Sequence, residues 1–406
     1  MASNNTTPRK NIVILGASYA GISTAHYLLR HVVPKLPNPD QYCVVLVSVS
    51  SQVVCRPACP RAMISETAFD QKKLFVDVKE CFVAYPAGQW RFVLGRVKDV
   101  DLERRMINVM GDDEQDHLAF HALVIATGAS TPSPLLGLNG SSEELRSAWH
   151  EVRVALPAAK NIVVAGGGPA GVETAAELAE HLNQTGSKTT QITLITSANQ
   201  ILPNLRSSIA NQAQKHLTHL GVRVLTDTKV TATSPIDAGT SSALTATTTV
   251  HLSNDQTLPA DIYIPATGTR PNTAFLPPAL LSSDGRVLTD AHLRAPLAGE
   301  RIYALGDAST FARPAIHNIF SAIPILCYNI HNDLLGVEGE DKVFKEDTRE
   351  TQMVLLGRKR AVGAAMGWWL PGWVVRMIKR DYWLWTTPKL WSGEQWTRGL
   401  RLRAGK

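Results

Sequence analysis

Two glycine-rich segments carry the most specific chemistry in this chain, Gly16-Ala-Ser-Tyr-Ala-Gly21 and Gly166-Gly-Gly-Pro-Ala-Gly171. Each follows an apolar run, Asn11-Ile-Val-Ile-Leu15 or Asn161-Ile-Val-Val-Ala165, and precedes a helix-forming one. Residues of this type at this spacing bind a pyrophosphate. The strand turns sharply into a helix whose free amides and dipole face the anion, and glycine lets the backbone approach it closely. The second copy keeps all three glycines, Gly166, Gly168 and Gly171, with Pro169 opening the helix. The first keeps Gly16 and Gly21 but has Ser18 at the central position, followed by Tyr19 and Ala20, so a side chain crowds the anion without excluding it. One such loop could be an ordinary strand-to-helix turn. Two with matching flanks predict an enzyme that holds two dinucleotides.

Two further segments are near copies of each other. Leu123-Val-Ile-Ala-Thr-Gly128 and Ile262-Tyr-Ile-Pro-Ala-Thr-Gly268 are apolar strands that stop in a small-residue turn, which places Thr127, Gly128 and Gly268 beside a nucleotide. Then Arg301-Ile-Tyr-Ala-Leu-Gly306-Asp307 delivers a carboxylate at the C-terminal end of a strand, the side on which ligands of such sheets bind. Asp307 is suited to accept hydrogen bonds from ribitol hydroxyls. A helix N-cap is the lesser alternative, and the two roles can coexist.

Strands alternating with helices must position these turns, and that alternation predicts parallel sheets. The first unit runs from Ile12 through the helix after Gly21 to Cys43-Val-Val-Leu-Val47, with a Pro-rich insert at 34–39. The second repeats it with Ile162–Ala165, the helix from Gly171 and Gln191-Ile-Thr-Leu-Ile195. The fold class is therefore α/β, two doubly wound Rossmann-like dinucleotide-binding domains plus a C-terminal α+β region. The expected boundaries are 1–155 and 271–335 for the first domain and its returning part, 156–270 for the second, and 336–406 for the C-terminal region. The Ser/Thr-rich stretch Thr231–Thr249 should form hairpin strands inserted in the second domain.

At 406 residues and 44% hydrophobic content the chain can bury two or three cores. Met1–Lys10 is polar and resembles no secretory signal, and no run reaches the roughly 18 apolar residues of a spanning helix. Five cysteines give no disulfide framework and fit a reducing compartment, and Ala2 excludes N-myristoylation. No metal-ligand spacing stands out. The formal charge of +6 is concentrated at the end: Arg358–Lys406 holds 11 Lys or Arg against 2 acids, and seven of the nine tryptophans. Trp beside Lys and Arg among Leu, Val and Ile suits a peripheral membrane contact, with rings at the headgroup boundary. A Trp-rich cap on the enzyme body is the alternative, and nucleic acid is not favoured because these aromatics cluster with apolar residues. The expected location is intracellular and cytoplasmic, not secreted, with the mitochondrial outer membrane or a lipid droplet as candidate surfaces.

The order of fingerprint, A-T-G, second fingerprint with Gly171-Val-Glu173, second A-T-G and G-D resembles the FAD-dependent pyridine nucleotide-disulfide oxidoreductases. Within them the chain is similar to the apoptosis-inducing-factor-like group that includes ferroptosis suppressor protein, and more distantly to type II NADH dehydrogenases. Pro57-Ala-Cys-Pro-Arg61-Ala and the C-terminal Gly363, Gly367, Val374-Val-Arg-Met-Ile-Lys379 and Arg380-Asp-Tyr382 carry that narrower likeness. The resemblance implies FAD pyrophosphate on Gly16–Gly21, Arg61 beside the flavin and Asp307 on its ribitol. It implies NADH or NADPH on Gly166–Gly171, with Glu173 near the nicotinamide. Hydride would pass to the flavin and then to a quinone or another small hydrophobic acceptor.

The chain departs from the pattern in places. Ser48 stands where an acid would take the adenosine ribose, and Thr196-Ser197 stands at the matching position of the second unit. The acceptor-side lysines are absent, and His317, in Pro314-Ala-Ile-His317-Asn318, is a candidate contact to flavin or acceptor. These departures keep open a dedicated small organic substrate, as in specialised metabolism. A non-enzymatic signalling or nucleic-acid-binding role would rest on the basic tail alone. Cys55-Arg-Pro-Ala-Cys59 lies near where related enzymes keep a redox dithiol, but with three intervening residues and no glycine-rich frame around it. A packing role for these cysteines is the better expectation.

Overall fold

The computed structural model describes residues 9–111, 115–186, 189–400 and 402. Its first sheet is five-stranded and parallel, in the spatial order Ile302–Ala304, Ala122–Ile125, Lys10–Leu15, Tyr42–Ser48, Trp90–Leu94. The chain thus leaves this sheet and returns to it after residue 300. The second parallel sheet orders Val222–Leu225, Gln191–Ile195, Asn161–Ala165 and Ile262–Pro265. The α/β class and the doubly wound parallel sheets are as expected. These strands are almost continuously apolar because both faces are covered, one by helices and the other mainly by antiparallel strands.

The helix Tyr19–Tyr27 is buried at every position, which its small and apolar residues allow. It packs on the first sheet, and the 20-residue helix Ile316–Leu335 lies against it. The Ser/Thr-rich stretch pairs at its two ends, Val230–Ser234 with Thr248–Leu252, and Thr257–Ala260 adds a third antiparallel strand. A second antiparallel insert, Arg96–Asp101, Met106–Met110 and Gln115–Ala119, was not foreseen.

The C-terminal region opens as a three-stranded antiparallel sheet, Gln352–Leu356, Arg360–Ala365 and Trp368–Trp369, followed by the helix Gly372–Lys379. Its tryptophans divide. Trp368, Trp369, Trp373 and Trp385 are exposed, whereas Trp391 and Trp396 are buried in the core of the first domain. Trp391 packs 5.1 Å from the Tyr19 ring and Trp396 5.9 Å from Tyr27. His26 fastens this segment, its Nε2–H donating to the Trp391 carbonyl at 2.8 Å while Nδ1 accepts from the Tyr85 hydroxyl at 2.9 Å. The expected tail is thus divided: Trp391 and Trp396 cap the enzyme body, and Trp368, Trp369, Trp373 and Trp385 stay exposed.

Candidate functional site

The two glycine turns are built alike. Gly16 has φ +108° and Gly166 φ +128°, values that L side chains rarely adopt. A Cβ at Gly16 would overlap the Ala126 carbonyl, and one at Gly166 the Ala266 carbonyl, so each first glycine packs on the alanine of its A-T-G segment. Likewise Gly21 and Gly171 lie against the carbonyls of Gly16 and Gly166, where no side chain fits. Each fingerprint and its A-T-G segment thus form one unit, which explains why the two motifs occur in pairs.

Between the two units lies a cleft of about 910 Å³. Ser18, Tyr19, Ala20, Gly128, Gly306 and Asp307 line its first half, and Gly166, Gly168, Pro169, Glu173, Thr196, Ser197 and Gly268 its second. A Cβ added at Gly128, Gly168 or Gly268 would enter open space, so the backbone leaves room there for a ligand to approach. Ser18 occupies the N-cap of its helix but its side chain makes no capping bond, which leaves that hydroxyl for a phosphate oxygen. Paired glycine turns, helix N-termini and a carboxylate at the strand end fit FAD and a nicotinamide dinucleotide.

The remaining expected residues lie elsewhere. Gly16, Gly21 and Gly171 shape the turns from behind rather than facing the cleft. Thr127 donates to the Asn272 carbonyl at 2.7 Å and is outside the lining, as is Ser48, whose Oγ accepts from the Ser50 amide at 3.3 Å. His317, in the first turn of Ile316–Leu335, turns towards Arg313, Glu346 and Asp347, while its neighbours Ala315, Ile316 and Ile319 line the cleft. Burial and Arg313 lower its pKa.

Arg61 is the largest displacement from expectation. Its guanidinium forms a two-point bond to Glu177 at 2.7 and 2.9 Å and lies 4.9 Å from the centre of the Tyr382 ring. Tyr382 in turn donates to Glu177 at 2.9 Å. Arg61 therefore clamps the loop after the second strand to the helix Pro169–Thr185 and the C-terminal region, and does not line the cleft. The arginine that does is Arg56, 3.4 Å from Asp307.

Sequence reasoning also missed Lys379. The last residue of its helix, it reaches the cleft and donates to Glu173 at 2.6 Å and to the Met353 carbonyl at 2.8 Å. Glu173 further accepts from the Leu355 amide at 2.9 Å. Burial pushes the Glu173 carboxyl up, and the Lys379 ammonium and the Leu355 amide push back. The signal for Lys379 was its place four residues after Val375, on the same inward face of the helix, where a cation must find a partner.

The cysteines behave as packing residues. Cys55 donates to the Tyr382 carbonyl at 3.4 Å and accepts from the Tyr19 hydroxyl at 3.5 Å. Burial pushes Cys55 up to about 11 and Cys59 to about 12, so neither is a thiolate near neutrality.

Comparison with known proteins agrees with this geometry. The profile of the pyridine nucleotide-disulphide oxidoreductases matches residues 10–323. An oxidoreductase of Penicillium herquei, phnG, is 51% identical over 98% of this chain and 100% of its own length. Ferroptosis suppressor protein 1 of Xenopus tropicalis is 26% identical over 91% of this chain and 92% of its own length, so likeness to that group is real but distant. Among solved structures, the sulfide:quinone oxidoreductase of Aquifex aeolicus superposes with a TM-score of 0.74, covering 95% of this chain and 92% of that one at 15% identity, a likeness of fold. The chain belongs to the pyridine nucleotide-disulphide oxidoreductase family and is an NAD(P)H-dependent flavoprotein oxidoreductase whose cofactors are FAD and a nicotinamide dinucleotide.

Proposed function

We propose that the enzyme takes hydride from NADH or NADPH through FAD and delivers the electrons to a quinone or a similar small hydrophobic acceptor that reaches it from a membrane surface. FAD supplies the redox step, accepting two electrons from a nicotinamide and releasing them to a second substrate. The protein's part is to bind and orient. Ser18 and the amides after it would hold one pyrophosphate, with Asp307 and its partner Arg56 at the ribitol. Gly168 and the helix it opens would hold the other. Glu173 and Lys379 form a buried, hydrogen-bonded pair in the wall between the two halves, where burial raises the Glu173 pKa and the ammonium opposes the rise.

One observation carries the hydrophobic acceptor. The helix Gly372–Lys379 spans only about 12 Å; its outer face shows Trp373 and Met377, and its last residue, Lys379, lines the cleft. Met366, Trp368, Trp369 and Trp385 extend the exposed apolar face, with Arg376 and Arg380 beside it, the composition of an interfacial contact. Among the described residues no helix is long and apolar enough to cross a membrane. An apolar, basic landing surface and the cleft are thus joined by two turns of helix.

The test has two parts. The purified flavoprotein should lose its oxidised flavin band on addition of NADH or NADPH, and a short-chain ubiquinone analogue should restore it faster than hydrophilic acceptors. Failure to restore it, with rapid reoxidation by a small organic substrate from a panel, would favour a dedicated substrate instead. Liposomes containing anionic lipid should float the protein, and a Trp373→Ser/Met377→Ser variant should stay behind; equal flotation of both would remove the landing surface from the proposal.

A further inference from the structure

The nicotinamide-nucleotide half of the cleft bears on which dinucleotide it takes. Its second strand ends at Ile195, and the chain then contains no Asp or Glu from Thr196 to Thr226. An acid at this strand end takes the ribose hydroxyls of NADH and repels a 2′-phosphate. Ser197 stands there instead, exposed at the rim of the cleft.

The neighbouring turn supplies a cation. The Asp227 amide donates to the Ala198 carbonyl at 3.0 Å and the Thr228 amide to the Thr196 carbonyl at 3.0 Å, so the turn that carries Lys229 is tied to the one that carries Ser197. Lys229 lines the same cleft as Thr196, Ser197 and Ala198, and its side chain is exposed rather than engaged in the core. The acid on that turn, Asp227, is exposed and is not part of the lining. The ribose end therefore presents a hydroxyl and an ammonium to the ligand.

We propose that this end of the cleft selects a 2′-phosphorylated adenosine, NADPH over NADH, with Lys229 as the phosphate cation and Ser197 as its neutral hydrogen-bonding partner. The inference rests on the nicotinamide-dependent reading of the cleft. A charge-assisted bond to phosphate is worth about tenfold or more in affinity. Because Lys229 is exposed, that advantage is screened and shrinks as salt is raised.

Calorimetric titration of the FAD-loaded protein with 2′,5′-ADP and 5′-AMP tests this without turnover. The bisphosphate should bind about tenfold or more tightly. Lys229→Met should remove the difference while leaving 5′-AMP affinity unchanged, and Ser197→Glu should reverse the preference. Equal affinities in the wild type, or tighter binding of 5′-AMP, overturn the selectivity. A preference that survives Lys229→Met overturns the role of that lysine. Binding of neither ligand, together with no flavin reduction by either dinucleotide, would instead overturn the nicotinamide reading itself.

Discussion

Replacing Lys379 with methionine should unfold the junction between the cleft and the C-terminal region more readily than any loss of packing would explain. Methionine keeps most of the apolar stem, so the change removes chiefly the ammonium. Lys379 and Glu173 are 7% and 5% exposed at their side chains and 2.6 Å apart. A buried carboxylate that loses its partner costs about 3–5 kcal/mol. The cost depends on pH in a defined sense. Burial already raises the Glu173 pKa, and Lys379 is the first influence that lowers it; without the ammonium it rises further. Between the unfolded value, about 4.3, and that raised folded value, the native state binds the extra proton, so stability is retained at low pH and lost as pH climbs through the folded pKa. Urea unfolding followed by circular dichroism at pH 5 and pH 8 should show Lys379→Met close to wild type at the lower pH and strongly destabilised at the higher one. Adding Glu173→Gln should recover most of the loss, because the amide still accepts from Leu355 and no charge is stranded. A single variant as stable as wild type at pH 8, or a double variant no better than the single one, would refute the reasoning.

Three other perturbations have firm directions. Burial lowers the His26 pKa to about 4, so between pH 6.5 and 4 the unfolded chain binds a proton that the folded one refuses; stability falls by about 3 kcal/mol across that window, and His26→Gln should flatten the slope in thermal melts. Arg61→Ala strands Glu177 and should cost about 3 kcal/mol, whereas Arg61→Lys keeps the charge but loses the two-point fork and should fall between, as read by unfolding midpoints. Gly166→Ala forces a Cβ onto the Ala266 carbonyl at a positive φ, so 5′-AMP binding by calorimetry should drop at least about tenfold while FAD content is kept.

The glycine turns were legible in the sequence because their constraints are local: a positive φ and a carbonyl where a Cβ would sit leave glycine as the residue that fits. Charged side chains were harder. Arg56 and Arg61 lie in one short segment, and the choice between them is made by Glu177, which sits 116 positions after Arg61 and captures its guanidinium. Nothing in the spacing of the segment announces that partner. Ser18, read as crowding an anion without excluding it, lines the cleft with a side chain that makes no capping bond. The tryptophan-rich tail was legible only in part for a related reason: composition says that rings avoid water, not what they meet, and here some meet the first helix and others face outward.

Trp391, Trp396 and Leu402 complete the hydrophobic core around the helix of the first glycine turn. A chain emerging from the ribosome therefore carries that turn long before it can close the wall behind it, since His26 and the Trp391 carbonyl it binds are 365 positions apart. Loading of the cofactor on this half of the cleft is consequently expected only once Trp391 and Trp396 have been made, and a premature stop even a few residues before Trp391 would leave an apolar seam open to proteolysis and aggregation.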